Sequence, residues 1–371
     1  MSNFTTPANG EIALVFGTSA GALRLASVAS ALQEKGAPDF YIVSTGEQGE
    51  SLKETTDRFA WSIDYSFPIS TGPVHEEVLT GALLEQIGAV FRERRPASVV
   101  VAGSTLTAFC AALAAYYQSI PVIHVHSRHG RGNQVQRVLI DAIARLHFVP
   151  DEVSSANLIA DRVDPRSICI EEDPARDSFL RIASEIRGDR SLAPGVPPES
   201  DCWAVVTCDL DEQSTDDREV IDGLRALLIR YEGRLSLAVP RALDGQSRIP
   251  SSLRTIGGVH DVPALEHHVL LAFAARPGFF LTATPGSRQL AALTSEDLLE
   301  RLLCRSEPGL GVDTLVPRES AAIQRATTPW IDAALATDAT ASVPWPGARG
   351  VAVADRIVAS VTASESVLNR G

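Results

Sequence analysis

Residues 97–137, ASVVVAGSTLTAFCAALAAYYQSIPVIHVHSRHGRGNQVQR, restrict what the whole chain can fold into. They hold a short apolar run at 99–102, a small-residue break at Gly103-Ser104, an apolar segment of helix length, and a second β-branched run that starts at Pro121. This is the pattern of a βαβ unit. Runs so uniformly apolar belong to a parallel strand and helix covered on both faces, because a half-exposed strand alternates polar with apolar residues. The loop after the second strand carries His124, His126, Arg128, His129 and Arg131. Open α/β sheets bind ligands outside the carboxyl ends of their strands, so function is expected first in this histidine loop.

The same alternation extends through the chain. Residues 12–16 read as a strand, followed by the turn Gly17-Thr18-Ser19-Ala20-Gly21 and an amphipathic segment through Gln33. A strand, a glycine turn and a helix N-terminus make an anion-binding corner, and equally an ordinary structural βα turn. Further strands are expected at 41–44, 146–149 and 167–170. A long helix is expected over 73–94, where Val78, Leu79, Ala82, Leu83, Ile87 and Val90 recur at helical spacing. Asp151 precedes another helix that runs through Ala160. The Pro-rich polar segment SLAPGVPPES, 191–200, marks a domain boundary. Beyond it the pattern resumes with strands at 203–207, 235–239 and 279–282 and helices at 216–231 and 263–275. The expected fold class is α/β, with two Rossmann-like, doubly wound lobes at 1–188 and 201–342, a linker at 189–200 and a tail at 343–371.

At 371 residues the chain is long enough for two cores. Its net charge of −13 and lack of any basic stripe argue against a nucleic-acid surface. The longest wholly apolar run, about 108–115, is far short of the ~20 residues a membrane helix needs. The opening MSNFTTPANG lacks the basic region and apolar core of a signal peptide, so a cytoplasmic location is expected. Five scattered cysteines without a C-x-x-C pair give neither a disulfide framework nor a zinc site. His-x-His at 124–126 is a potential metal pair, but the loop holds no cysteine or acid beside it. The expectation is therefore no metal and no cofactor.

The central stretch also resembles a known family. Strand, Gly-x-Thr, a helix ending AAYYQSIPV, then His-Val-x, a Gly-containing loop and a helix with Arg137 look like the non-hydrolysing UDP-N-acetylglucosamine 2-epimerases. Those proteins read Gly-Asp-Thr, AAxYxxIPVxHVEAG and Pro-Glu-Glu-x-Asn-Arg. FGTSAG at 16–21 is similar to the family's Phe-Gly-Thr-Arg-Pro-Glu, LHFVPDEVSSANL to its His-x-Ser-Pro-Thr-Glu segment, and VPWPGARGVAVADRIVASV to its closing motif and final helix. The resemblance covers nearly the whole chain. It implies a glycosyltransferase-B-like pair of lobes with a cleft between them, a tail helix that returns to the first lobe, and a UDP-sugar or related anion as ligand. It also implies a homodimer, or a heterodimer with a paralogue.

At the positions where that family does its chemistry, this chain differs. Family acids become Ser104 (in Gly-Asp-Thr), His126 (in His-Val-Glu), and Asn133 and Gln134 (in Pro-Glu-Glu), while Arg137 is kept. Ser19 replaces an Arg that helps hold the diphosphate. An amide keeps the shape of a carboxylate but cannot accept a proton near neutral pH. In the second half, the family's Thr-Gly-His-Arg-Arg-Glu aligns with Thr207-Cys208-Asp209-Leu210-Asp211-Glu212, with Asp216, Asp217 and Glu219 close behind. This acidic run reads as a solvated helix start. The phosphate cradle Thr-Asp-Ser-Gly-Gly-x-Gln-Glu-Glu aligns with TATPGSRQL, leaving Thr284, Gly286 and Arg288 as anion contacts and a Pro285 without an amide donor.

The candidate catalytic residues are thus His126, His129, Asp209 and Glu212. The candidate binding residues are Gly17, Thr18, Ser19, Ser104, Arg128, Gln134, Arg137, Thr284, Gly286 and Arg288. Imidazole titrates near pH ~6.5, so His126 is a possible replacement base; it is equally a packed, hydrogen-bonded histidine at the sheet edge. Three functions follow. One is a non-catalytic family member that partners or regulates a sugar-nucleotide, glycan or natural-product pathway. Another is an enzyme rebuilt around His126 with Arg128, Arg137 and Arg288 as anion contacts. The third is a transferase of similar architecture.

Overall fold

A computed structural model describes residues 10–35, 39–46, 56–57, 61–67, 75–126, 134–171, 173–175, 177–178, 181–182, 185, 197, 200–208, 210–242, 246–263, 273, 278–283, 289–294 and 314–336. They fall into two compact units, divided near residue 180, each built on its own sheet. The tail expected at 343–371 and most of the helix expected at 263–275 lie outside the described residues, as does the linker apart from Pro197 and Ser200.

The first unit alternates strands and helices: β1 (Ile12–Phe16), α1 (Ser19–Lys35), β2 (Phe40–Ser44), β3 (Tyr65–Ser66), α2 (Glu76–Arg94), β4 (Ser98–Ala102), α3 (Leu106–Tyr117), β5 (Val122–Val125), α4 (Gln134–Ile143), β6 (Leu146–Val149), α5 (Glu152–Ala160) and β7 (Ile168–Ile170). Every pairing in the sheet is parallel, in the order β3-β2-β1-β4-β5-β6-β7. The apolar runs explain this. β1 and β4 are buried at every position, and their side chains divide between two cores, one on each face of the sheet. Ile12, Leu14, Phe16, Val100 and Ala102 join α1 on one face. Ala13, Val15, Val99 and Val101 join α2 and α3 on the other. α3 is nearly all Ala, Leu and aromatic residues because it is buried along most of its length, and the Thr105 hydroxyl caps it by accepting from the Ala108 amide.

The second unit holds β8 (Cys202–Val206), α6 (Thr215–Arg230), β9 (Leu235–Pro240), β10 (Val259–Val262), β11 (Gly278–Ala283), β12 (Gln289–Thr294), β13 (Thr314–Pro317) and α7 (Ser320–Ala336). Its sheet runs β10-β9-β8-β11-β12-β13. The first four strands are parallel, as expected of a Rossmann-like lobe, but β12 and β13 return antiparallel. The reason is chain length. Parallel strands need a crossover of about a dozen residues or more, and only 284–288 separate β11 from β12.

Candidate functional site

In the first sheet the chain leaves β1 in one direction for β2 and β3 and in the other for β4 through β7, so the topological switch lies between β1 and β4. The carboxyl ends there carry several predicted site residues: 17–19 after β1, Ser104 after β4, and His126 after β5. Gly103 adopts a φ of 70°, a left-handed conformation that suits glycine, and its amide donates to the Val125 carbonyl. The end of β4 is thereby fixed beside β5. Thr18 uses its hydroxyl to accept from the Gly21 amide, and Ser19 is buried. The Thr18 hydroxyl is therefore spent on starting α1. A Cβ on Gly21 would meet Phe16 Cβ at 3.1 Å, so the turn is also tightly packed on its strand.

Behind these ends lies a buried polar cluster. His124 lies in β5 and His126 directly after it, two residues on, and His147 is the parallel register partner of His124 on β6. Asp141, from α4, faces all three. Its Oδ1 is 2.7 Å from His124 Nδ1, 3.3 Å from His126 Nε2 and 3.7 Å from His147 Nδ1. His126 Nε2 also lies 3.3 Å from His147 Nδ1, and the His124 and His126 rings stack with centroids 3.8 Å apart. All four residues are buried, His126 to 6% exposure. Arg137, one turn before Asp141, donates from Nη1 to Asp141 Oδ2 at 2.9 Å and from Nη2 to Asp161 Oδ2 at 3.1 Å. The predicted anion contact Arg137 is thus turned onto two carboxylates.

The electrostatics follow from this packing. Burial pushes the His126 pKa well below the ordinary imidazole value, the neighbouring His124 adds to the shift, and Asp141 opposes it. Burial alone would raise the Asp141 pKa. The hydrogen bond from His124 and the approach of His147 outweigh it and hold the carboxyl well below its usual range. His124 faces two acceptors, Asp141 through Nδ1 and the Gly103 carbonyl through Nε2 at 2.9 Å. A neutral ring has one N–H and one lone pair. A neutral ring therefore donates to only one of these two acceptors and turns its lone pair towards the other.

The other predicted residues are placed differently. Glu212 is half-buried in the second unit, where it accepts from the Ser251 hydroxyl at 2.6 Å and the Ser252 amide at 2.9 Å. The Ser251 bond first, and then Ser252, lower its pKa to about 2, so it is a firmly ionised tether and a weak proton acceptor. The acidic run expected to be solvated is partly structural. Asp217 is buried, pairs with Arg318 and accepts from the Asp211 amide, and Glu219 accepts from the Ser320 amide. These bonds fasten the start of α6 to the start of α7. Gln134 opens α4. Arg128, His129, Asp209, Thr284, Gly286 and Arg288 lie outside the described residues.

The sequence reading missed Asp141 and His147. It weighed His-x-His as a metal pair only within its own loop and found no acid there. The acid comes from α4, 17 residues beyond His124, and the third imidazole from the adjacent strand. The readable signal was Asp141 four residues after Arg137, on the helix face that packs towards β5. The loop holds no acid, as expected, but the helix after it supplies one, which removes that argument against a metal pair.

Comparison with known proteins agrees with the architecture. The family model described as UDP-N-acetylglucosamine 2-epimerase matches residues 30–287. A probable UDP-N-acetylglucosamine 2-epimerase of Ralstonia solanacearum is 24% identical over 90% of this chain and 98% of its own length. The UDP-N-acetylglucosamine 2-epimerase of Escherichia coli K12 is 28% identical over 49% of this chain and 50% of its own. Among solved structures, the UDP-GlcNAc 2-epimerase from Methanocaldococcus jannaschii superposes with a TM-score of 0.73 at 19% identity, covering 95% of this chain and 99% of that one. The enzyme from Neisseria meningitidis bound to UDP-GlcNAc gives 0.64 at 18%, covering 95% and 100%. With a matching family model over most of its length and two α/β units of the same fold, the chain belongs to the UDP-N-acetylglucosamine 2-epimerase family.

Proposed function

We propose that this chain is a UDP-N-acetylglucosamine 2-epimerase-like protein without the family's acid/base chemistry, acting as a non-catalytic partner or regulator in a sugar-nucleotide, glycan or natural-product pathway. The observation that carries this reading is the state of His126. It stands where the resemblance places a glutamate, yet its Nε2 is 3.3 Å from both His147 and Asp141 and the residue is 6% exposed. A general base must reach the proton it removes and titrate near the working pH. His126 is engaged inside the cluster, Asp141 is held ionised by its neighbours, and Ser104 has no proton-accepting carboxylate. Arg137 is shared between Asp141 and Asp161. Self-association, or pairing with a paralogue, is supported by Tyr116, Tyr117, Val135, Val138 and Leu139, all exposed on α3 and α4. The ligand class on this reading is a UDP-sugar or a related small anion, retained without turnover, and the lobes divide at 189–200 in a cytoplasmic protein.

The test is incubation with UDP-N-acetylglucosamine in heavy water. Epimerisation at the 2-position exchanges the proton on that carbon, so an absence of deuterium in recovered sugar nucleotide, at protein concentrations near the substrate's, is the expected result. Catalytic incorporation would overturn the proposal. A second reading is favoured by one observation: His126, its pKa lowered by burial, follows directly on the carboxyl end of β5, where the resemblance places the family's glutamate. Turnover that disappears in His126→Ala would establish it.

A further inference from the structure

We propose that His124, His126, Asp141 and His147 bind one divalent transition-metal ion, with zinc the best fit, in a closed site made of three imidazoles and one carboxylate. The inference is independent of the proposed function, because metal loading is read whether or not the protein turns over a sugar nucleotide.

Four features support it. One ligand atom from each residue lies within 4.8 Å of all the others, and all four residues are buried. Bonds of ~2.0–2.1 Å to a tetrahedral zinc place its donors ~3.3 Å apart. Four of the six donor separations bracket that value, at 3.3 Å from His126 to His147, 3.3 Å from His126 to Asp141, 3.7 Å from His147 to Asp141 and 2.7 Å from His124 to Asp141, and the two between His124 and the other imidazoles are within 4.8 Å. The shortest contact is also informative. A neutral His124 donates to only one of the Gly103 carbonyl and Asp141 Oδ1, so the other contact sets two electron-rich atoms against each other unless a cation, a proton or a metal, lies between them.

The surroundings match what a bound metal needs. A ligating histidine usually donates its other ring nitrogen to a carbonyl or carboxylate, which fixes its tautomer and orientation; the Gly103 carbonyl, 2.9 Å from His124 Nε2, is placed for this. The carboxylate is held by its other oxygen, Oδ2, through Arg137. Three imidazoles and one carboxylate suit zinc, cobalt or nickel, whereas calcium and magnesium require shells of oxygen. Four protein ligands with no open position are the arrangement of a structural site. Arg137 opposes binding by its charge, but it faces Oδ2 and is half-neutralised by Asp161.

The experiment uses full-length protein without a polyhistidine tag, grown with zinc supplementation, dialysed and analysed for metals. Chelator-stripped protein is then titrated with cobalt(II), whose visible d–d absorption reports a tetrahedral site. Expected is ~one metal per chain in wild type and in His75→Gln, an exposed histidine outside the cluster. His126→Gln and His147→Gln should bind at least ~10-fold more weakly, and chelation should lower the melting temperature of wild type. The proposal is overturned if folded wild type carries no metal and gives no tetrahedral cobalt spectrum, or if cobalt binds His126→Gln and His147→Gln as it binds wild type. Should either variant fail to fold, the cobalt spectrum and the chelator shift of wild type decide the matter alone.

Discussion

Arg24 and Asp173, 149 residues apart, form a buried ion pair: Nε of the arginine in α1 donates to Asp173 Oδ2 at 3.0 Å, and the Asp173 side chain has no exposed surface. Asp173 Oδ1 accepts from the Ala175 amide at 3.0 Å. The pair ties the first helix to the segment that follows β7. Removing one partner of such a pair leaves an uncompensated buried charge. Arg24→Ala and Asp173→Ala are each expected to destabilise the first unit by ~3–5 kcal/mol, measured by urea unfolding, with the double variant less destabilised than the sum of the two.

Acidification should unfold the protein in two stages, best followed by thermal melts in the presence of chelator. His126 has a folded-state pKa below its unfolded value, so below pH ~6.5 the unfolded chain binds the extra proton first and stability falls as pH falls. Asp141 has the same sign. Its stabilisation is complete above the ordinary carboxyl range and is lost as pH drops below ~4. His126→Gln should flatten the first stage and leave the second. A first stage unchanged in that variant would assign it elsewhere.

Cys202, buried at the start of β8, has its thiol pushed up to about 12 by burial. The thiolate is the reactive form, so native protein at pH ~8 should leave Cys202 unmodified by a thiol reagent that labels it readily in denaturant. Mass spectrometry of the labelled peptides provides the measurement. Above pH ~9 the unfolded chain loses this proton while the folded chain keeps it, so the thiol's contribution to stability declines on the alkaline side.

Gly278 opens β11 against β8, where a Cβ would collide with the Trp203 backbone carbonyl. The obstacle is backbone, which cannot swing aside as a side-chain end can. Gly278→Ala should therefore cost at least the ~3 kcal/mol at the upper end of overpacking penalties, seen as loss of soluble protein or a lowered denaturation midpoint. A midpoint within error of wild type would show that β8 and β11 can separate at that end.

Much of the fold was legible because buried parallel strands carry an unambiguous apolar signal. The runs at 12–16, 99–102 and 235–239 became β1, β4 and β9 within a residue. The antiparallel β12 and β13 were missed, since QLAALT and TLVP mix polar with apolar residues where those runs are almost wholly apolar. The site was half legible. His124 and His126 announced themselves by spacing, whereas Asp141 looks like any helical acid and His147 like any strand residue until β5 and β6 are laid side by side. Glu212 and Asp217 show the converse: an acidic run carries no mark of which members will be spent on Ser251, Ser252 and Arg318.

The pairing of His124 with His147 has a consequence for how the sheet assembles. Strands as short and apolar as VIHV and LHFV offer little to distinguish one alignment from the next. A shift of a single residue moves every side chain of a strand to the opposite face. Here such a slip would carry His147 into the apolar layer of Ile123, Val125 and Phe148 and bring Leu146 or Phe148 against Asp141. The penalty for burying a lone imidazole in hydrocarbon makes His147 a registration key, so this side of the sheet is aligned by its least hydrophobic residues.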